Sequence, residues 1–162
     1  ICLENSKDSN SQPLLRNCAC RGDAGWAHVA CLAEFAASKV TEAQRNKEQS
    51  VDISSFWENC NICKTLYMQN MASAMVDAYV KQYEHLPDTN VLRFSSLFSL
   101  AKSTSKVGDH DGAMELYVQL QETCVFLTSK GIDVRRREAS VIGMMATIFL
   151  QKGNFNDSLS TF

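Results

Sequence analysis

Six of the seven cysteines in this 162-residue chain fall within its first 63 residues, and most of them come in close sets. Cys18 and Cys20 form a CxC, His28 and Cys31 an HxxC, and Cys60 and Cys63 a CxxC, while Cys2 stands alone near the start. Zinc takes four ligands in a tetrahedron, and a short turn of backbone can offer it two of them at once, leaving a second pair to close the shell. Counted in pairs, the set is one short of two ions. Cys2 is therefore expected to be the second member of a pair whose first cysteine would lie just before Ile1. Secreted scaffolds pair their cysteines evenly, whereas an odd count in spaced pairs points to metal binding in a reducing compartment. A single CxxC arises by chance, and buried cysteines also serve as small hydrophobes. Cys124, on an apolar helical stripe far from any other cysteine, is expected to be such a core residue.

With the expected cysteine restored, the ligand order is C, C, C, C, H, C, C, C. Seven residues separate Cys20 from His28, and 28 separate Cys31 from Cys60. The segments "ICLEN", "PLLRNCACRGDAGWAHVACLAEF" and "WENCNICKTLY" carry this order, with Ile and Leu flanking Cys2, "CACRG", "HVACL", and a cation and a Tyr after Cys63. This resembles the RING-CH finger, a zinc-binding variant of the RING family. A PHD finger shares the ligand order and often has a tryptophan before its last pair, as Trp57 is here. It usually has CxxC in second place and a shorter run before the histidine.

The resemblance implies a cross-brace with two structural zinc ions. The first would take the upstream cysteine, Cys2, His28 and Cys31, and the second Cys18, Cys20, Cys60 and Cys63. Closed four-coordinate shells of this kind leave no open position for water, so the metal would hold the fold and carry out no Lewis-acid chemistry. RING-type ubiquitin ligases form no covalent intermediate. They hold a ubiquitin-charged conjugating enzyme so that its thioester is poised for a substrate lysine, and no residue of the finger is catalytic. By the same resemblance, Ile1, Leu3, Phe35 and Lys64 would contact the conjugating enzyme. Phe35 stands where many members have tryptophan, and Asn61 where many RING domains have proline. Trp26 and Trp57 are expected to pack around the small metal core. The Arg-Gly-Asp at residues 21–23 lies between zinc ligands and carries little weight as an adhesion motif.

After Lys64 the texture changes, and apolar residues take helical spacing. Tyr67, Met71, Met75, Ala78, Tyr79 and Leu86 form a stripe that reads as core, Pro87 ends that helix, and "PDTN" offers N-cap residues for the next. Leu100 to Tyr117 then aligns with Met145 to Phe162 at an offset of 45 residues, placing Ala101 over Ala146, Gly108 over Gly153 and Ala113 over Ser158. This is similar to the tetratricopeptide repeat of the longer, kinesin light chain type, which has small residues where helices cross and a glycine between them. Ala113, Leu116, Tyr117, Leu120, Cys124 and Leu127 form one apolar stripe, which Gly131 breaks before "IDVRRREAS" starts another helix. Such repeats bury a continuous core only when about three or more stack, so further repeats are expected beyond Phe162. His85 and His110, beside turn material, are expected to be solvated, and Arg135 to Arg137 to form a solvated charged face.

The expected architecture is mainly α: a RING-CH-type finger at residues 1–66, a connecting helix at 67–88, and a tetratricopeptide-like solenoid at 89–162. A net charge of −2 provides no global field for nucleic acid or an anionic membrane. The longest apolar run, Val141 to Leu150, is well short of the ~18 to 20 residues that span a bilayer. The expected partners are a ubiquitin-conjugating enzyme and a protein or peptide substrate in the repeat groove, with no nucleic acid and no membrane, in an intracellular and cytoplasmic setting. The alternative is a non-enzymatic adaptor in which both halves bind proteins.

Overall fold

The computed structural model describes residues 14–47 and 52–153. Among these, six α-helices account for most of the chain and no strand forms. They are α1 (Val29–Arg45), α2 (Ser55–Glu58), α3 (Gln69–Tyr83), α4 (Val91–Lys106), α5 (His110–Ser129) and α6 (Arg135–Gln151). The chain divides into two compact units, Ile1–His85 and Leu86–Phe162, each with its own helix packing. No helix among the described residues is long and apolar enough to cross a membrane.

In the first unit, α1, α2 and α3 all pack against one another. Leu32, Ala36, Val40 and Ala43 recur on α1 at three- and four-residue steps and are buried, as are Met71, Met75, Tyr79 and Tyr83 on α3. Thus Met71, Met75 and Tyr79, expected as a core stripe, are core to this unit. Trp57 of α2 ties the aromatic members together: it stacks on Tyr79 with ring centroids 4.7 Å apart and meets Tyr83 edge-on at 6.0 Å. A four-residue helix has no stability of its own. Burial of Trp57 against α3 is what holds α2 in place.

Trp26 departs from expectation. It lines a cavity with Cys18 and Cys60 but is 46% exposed, whereas Trp57 is 1% exposed, so only Trp57 is a fully buried core residue. The cause is local. Trp26 follows a single 3-10 turn, Gly22–Gly25, and precedes Ala27, whose N–H and C=O are both paired with Leu15 at 3.0 Å. With Ala27 and His28 buried, the indole is left on the outer side.

The second unit is built on one continuous core. Phe94, Leu97 and Ala101 of α4 meet Ala113, Tyr117, Leu120, Cys124 and Leu127 of α5 and Val141, Met145 and Ile148 of α6. Cys124 is fully buried in it, as its place on the stripe required. Only residues 107–109 join α4 to α5, so the two helices fold back on one another. Asn90 caps α4 by accepting the Leu92 N–H at 2.9 Å, and Asp109 caps α5 by accepting that of Gly112 at 2.9 Å. Gly108 and Gly131 follow α4 and α5 with φ of +91° and +78°, the left-handed geometry that ends a helix without a Cβ clash. His110 is half-buried instead of solvated, with Nδ1 shielded from water, because it occupies the first turn of α5.

Candidate metal centre

The sulfurs of Cys18, Cys20, Cys60 and Cys63 all lie within 4.8 Å of one another, and Cys20 Sγ is 3.6 Å from Cys60 Sγ. Among the described residues this is the one group of three or more potential metal ligands. Zn–S bonds of about 2.3 Å put the corners of a tetrahedron about 3.8 Å apart, so four sulfurs gathered this closely suit one zinc ion. None of the four is in a disulfide.

The backbone explains why residues 40 positions apart in sequence meet. Around the CxxC, Lys64 N–H donates to Cys60 C=O and Cys60 N–H to Thr65 C=O, each at 2.8 Å, closing a tight turn with both sulfurs on it. Lys64 takes a left-handed φ of +59° to complete that turn. Further along, Tyr67 N–H reaches Glu58 C=O and Met68 N–H reaches Asn17 C=O, at 2.8 and 2.9 Å, bringing the CxC segment alongside. Arg16 Nη2 donates to Cys20 C=O at 2.8 Å and lies over Gly25, where a Cβ would come within 3.2 Å of its guanidinium.

Thr65 supports the cluster from outside. Ala19 N–H donates to its hydroxyl oxygen at 3.3 Å, and the hydroxyl, 3.1 Å from Cys63 Sγ, can donate its proton to that sulfur as a thiolate. That hydrogen bond favours a thiolate and brings Cys63 down to about 6. Cys20 goes the opposite way, pushed up to about 12 by burial and by hydrogen bonds with the neighbouring sulfurs, and burial raises Cys18 as well. Tyr67, buried beside the four sulfurs, is raised by desolvation and by their charge. A buried cluster of thiols that resists carrying four negative charges is one that a dication would relieve.

His28 and Cys31 open α1, with His28 at the N-cap position and Cys31 three residues on, so one helical turn presents both. His28 Nδ1 and Cys31 Sγ are 3.8 Å apart, close to the ~3.6 Å that separates nitrogen and sulfur ligands on one tetrahedral zinc. His28 is buried and Cys31 half-buried. Cys2, Ile1 and Leu3 lie outside the described residues.

Of the residues expected to meet a conjugating enzyme, Phe35 and Lys64 come together. They line one groove of about 150 Å³ with Ser55, Phe56, Asn59, Cys60 and Asn61. Phe35 sits one turn of α1 beyond Cys31, half-buried, with Lys39 Nζ 5.9 Å from its ring centroid. Lys64 is exposed and donates to Asn61 Oδ1 at 3.1 Å. Sequence reasoning missed Thr65 and Phe56, and of Asn61 it noted the departure from proline but not the bond to Lys64. None carries a spacing signal, because each acts through a fold-dependent neighbour.

Four sulfurs brought together from the CxC and CxxC segments define a site suited to one metal ion in a small, mostly helical unit. Residues 1–63 match the family model described as RINGv, the RING-variant domain. The chain thus has a RING-variant, RING-CH-type zinc-finger domain at residues 1–63, with a cysteine cluster suited to metal. No curated protein and no solved structure matches the chain.

Proposed function

We propose that this protein is a RING-CH-type ubiquitin ligase that docks a ubiquitin-charged conjugating enzyme on its finger and recruits its substrate through the helical second unit. RING-type domains typically bind conjugating enzymes, and the observation that carries the reading here is the groove beside the cysteine cluster. Phe35 and Phe56 give it an apolar floor, and Lys64 sets a cation at its rim, the pairing of features with which a small domain grips one face of a protein partner. Ile1 and Leu3 would extend the apolar side. Two zinc ions would hold this face in shape, one on Cys18, Cys20, Cys60 and Cys63 and the other on Cys2, His28, Cys31 and a further cysteine.

For the second unit, the tetratricopeptide reading draws on paired features 45 residues apart. Ala101 and Ala146 are both buried, and Gly108 and Gly153 both have positive φ after a helix. The remainder of the second copy, from residue 154, lies outside the described residues. A stack of such repeats would offer a groove for a peptide or protein substrate.

The test is single-turnover discharge of a panel of ubiquitin-charged conjugating enzymes by the full chain. Stimulated discharge with at least one enzyme, lost in Phe35→Ala while bound zinc is retained, is the expected result. Silence across the panel would make the protein a zinc-finger adaptor.

A further inference from the structure

Lys64 occupies an unusual position for a long, flexible side chain. Its backbone is fixed: the left-handed φ of +59° is locked by the bonds that Cys60 makes to Lys64 and Thr65 on either side. Its Cα therefore has one place, beside the last sulfur. The side chain beyond it has four rotatable bonds and is exposed, so nothing in the backbone decides where the ammonium lies. One contact does decide it. Asn61, three residues earlier on the same tight turn, accepts from Lys64 Nζ at 3.1 Å through Oδ1. Both residues line the groove that also contains Phe35 and Phe56.

We propose that Asn61 is a positioning residue: its side-chain oxygen holds the Lys64 ammonium at the rim of the Phe35–Phe56 groove, so that the groove selects conjugating enzymes presenting an acceptor oxygen beside an apolar side chain. This rests on the ligase reading above. An ammonium has three N–H donors, and Asn61 takes one, leaving two for the partner. Asn61 itself has no charge to compete with the partner's acceptor. A proline at this position would supply no side-chain acceptor, and an apolar residue would leave the ammonium free to point into water. The acceptor thus converts a mobile surface charge into a directed one, lowering the ordering cost that would otherwise fall at docking.

The experiment compares discharge by the full chain carrying no change, Asn61→Ala, Asn61→Asp, Lys64→Ala and the Asn61→Ala, Lys64→Ala pair, with zinc content measured for each. With an enzyme that the unchanged protein stimulates, Asn61→Ala should slow discharge about three- to tenfold at subsaturating enzyme, with less effect at saturation. Asn61→Asp, which keeps the acceptor but adds a competing charge, should be faster than Asn61→Ala and slower than the unchanged protein. The double variant should be no slower than Lys64→Ala alone, since Asn61 acts through the lysine. Full activity in Asn61→Ala, or losses that simply add in the double variant, would overturn the positioning role and leave the ligase reading intact if Lys64→Ala and Phe35→Ala are impaired. An unchanged protein that stimulates no enzyme removes both.

Discussion

The two units solve the same problem, how to fix three helices, by different means. In the second unit, α4, α5 and α6 each contribute three or more buried apolar residues to one core, and the turns between them need only caps and left-handed glycines. In the first, α1 and α3 share a core with the four-residue α2, but the stretches that carry the four clustered cysteines are nearly free of regular structure. They are stitched by single backbone bonds such as Tyr67 to Glu58 and Met68 to Asn17, and their one dense feature is the sulfur cluster. Helices are specified by pattern spread over many residues. A metal knuckle is specified by a few residues whose loss nothing nearby compensates.

The sharpest way to break the comparison is to remove the ligands. Structural zinc in finger peptides contributes about 10 to 16 kcal/mol of apparent folding free energy. The Cys60→Ser, Cys63→Ser pair, or a strong chelator, should therefore unfold the segments around the cluster, while the helices of the second unit persist to their usual melting temperature. Circular dichroism with hydrogen exchange resolved by region measures this. Loss of protection in α4–α6 to the same extent would show that the units do not differ as described.

The converse cut is Tyr117→Ala. Tyr117 is fully buried and meets Phe98 edge-on at 5.8 Å, so truncation should cost the second unit about 3 to 5 kcal/mol and leave zinc content unchanged. Tyr117→Phe should cost little, because the hydroxyl it removes is buried without a hydrogen-bond partner. Denaturant melts of both variants beside metal analysis check the pair. Between these extremes lies Thr65→Val, which removes the hydroxyl that supports Cys63. Loss of such an outer partner typically weakens metal affinity about 10- to 100-fold, to be read by competition with a chromogenic chelator. The smallest effect is expected from Asn90→Ala. It removes the cap on the Leu92 N–H and should lower stability of the second unit by about 1 kcal/mol.

How far each unit was legible in sequence follows the same division. Helical periodicity announced α5 residue by residue, and the buried set Ala113, Tyr117, Leu120, Cys124 and Leu127 lies on the stripe it predicted. The resemblance to the RING-CH finger, carried by the cysteine order, likewise implied Cys18 and Cys20 with Cys60 and Cys63, and their sulfurs do gather. The misjudged residues lie where no period operates. Trp26 is turned outward by a backbone pairing between Leu15 and Ala27, and His110 is half-buried by the way α5 starts. Thr65, and the bond that links Asn61 to Lys64, were invisible for a related reason: a hydroxyl or amide one or two residues from a metal ligand shows no partner until the turn is closed.

The contrast between the two tryptophans has a practical side. They are the chain's only indoles; one is half-exposed and the other lies flat against Tyr79, twelve residues before α3 begins. Indole emission shifts to longer wavelength as water reaches the ring. Trp26 is already 46% exposed and Trp57 only 1%, so most of the red shift expected on metal withdrawal should come from Trp57. The protein contains its own optical gauge of whether the finger is assembled, with no dye or label needed.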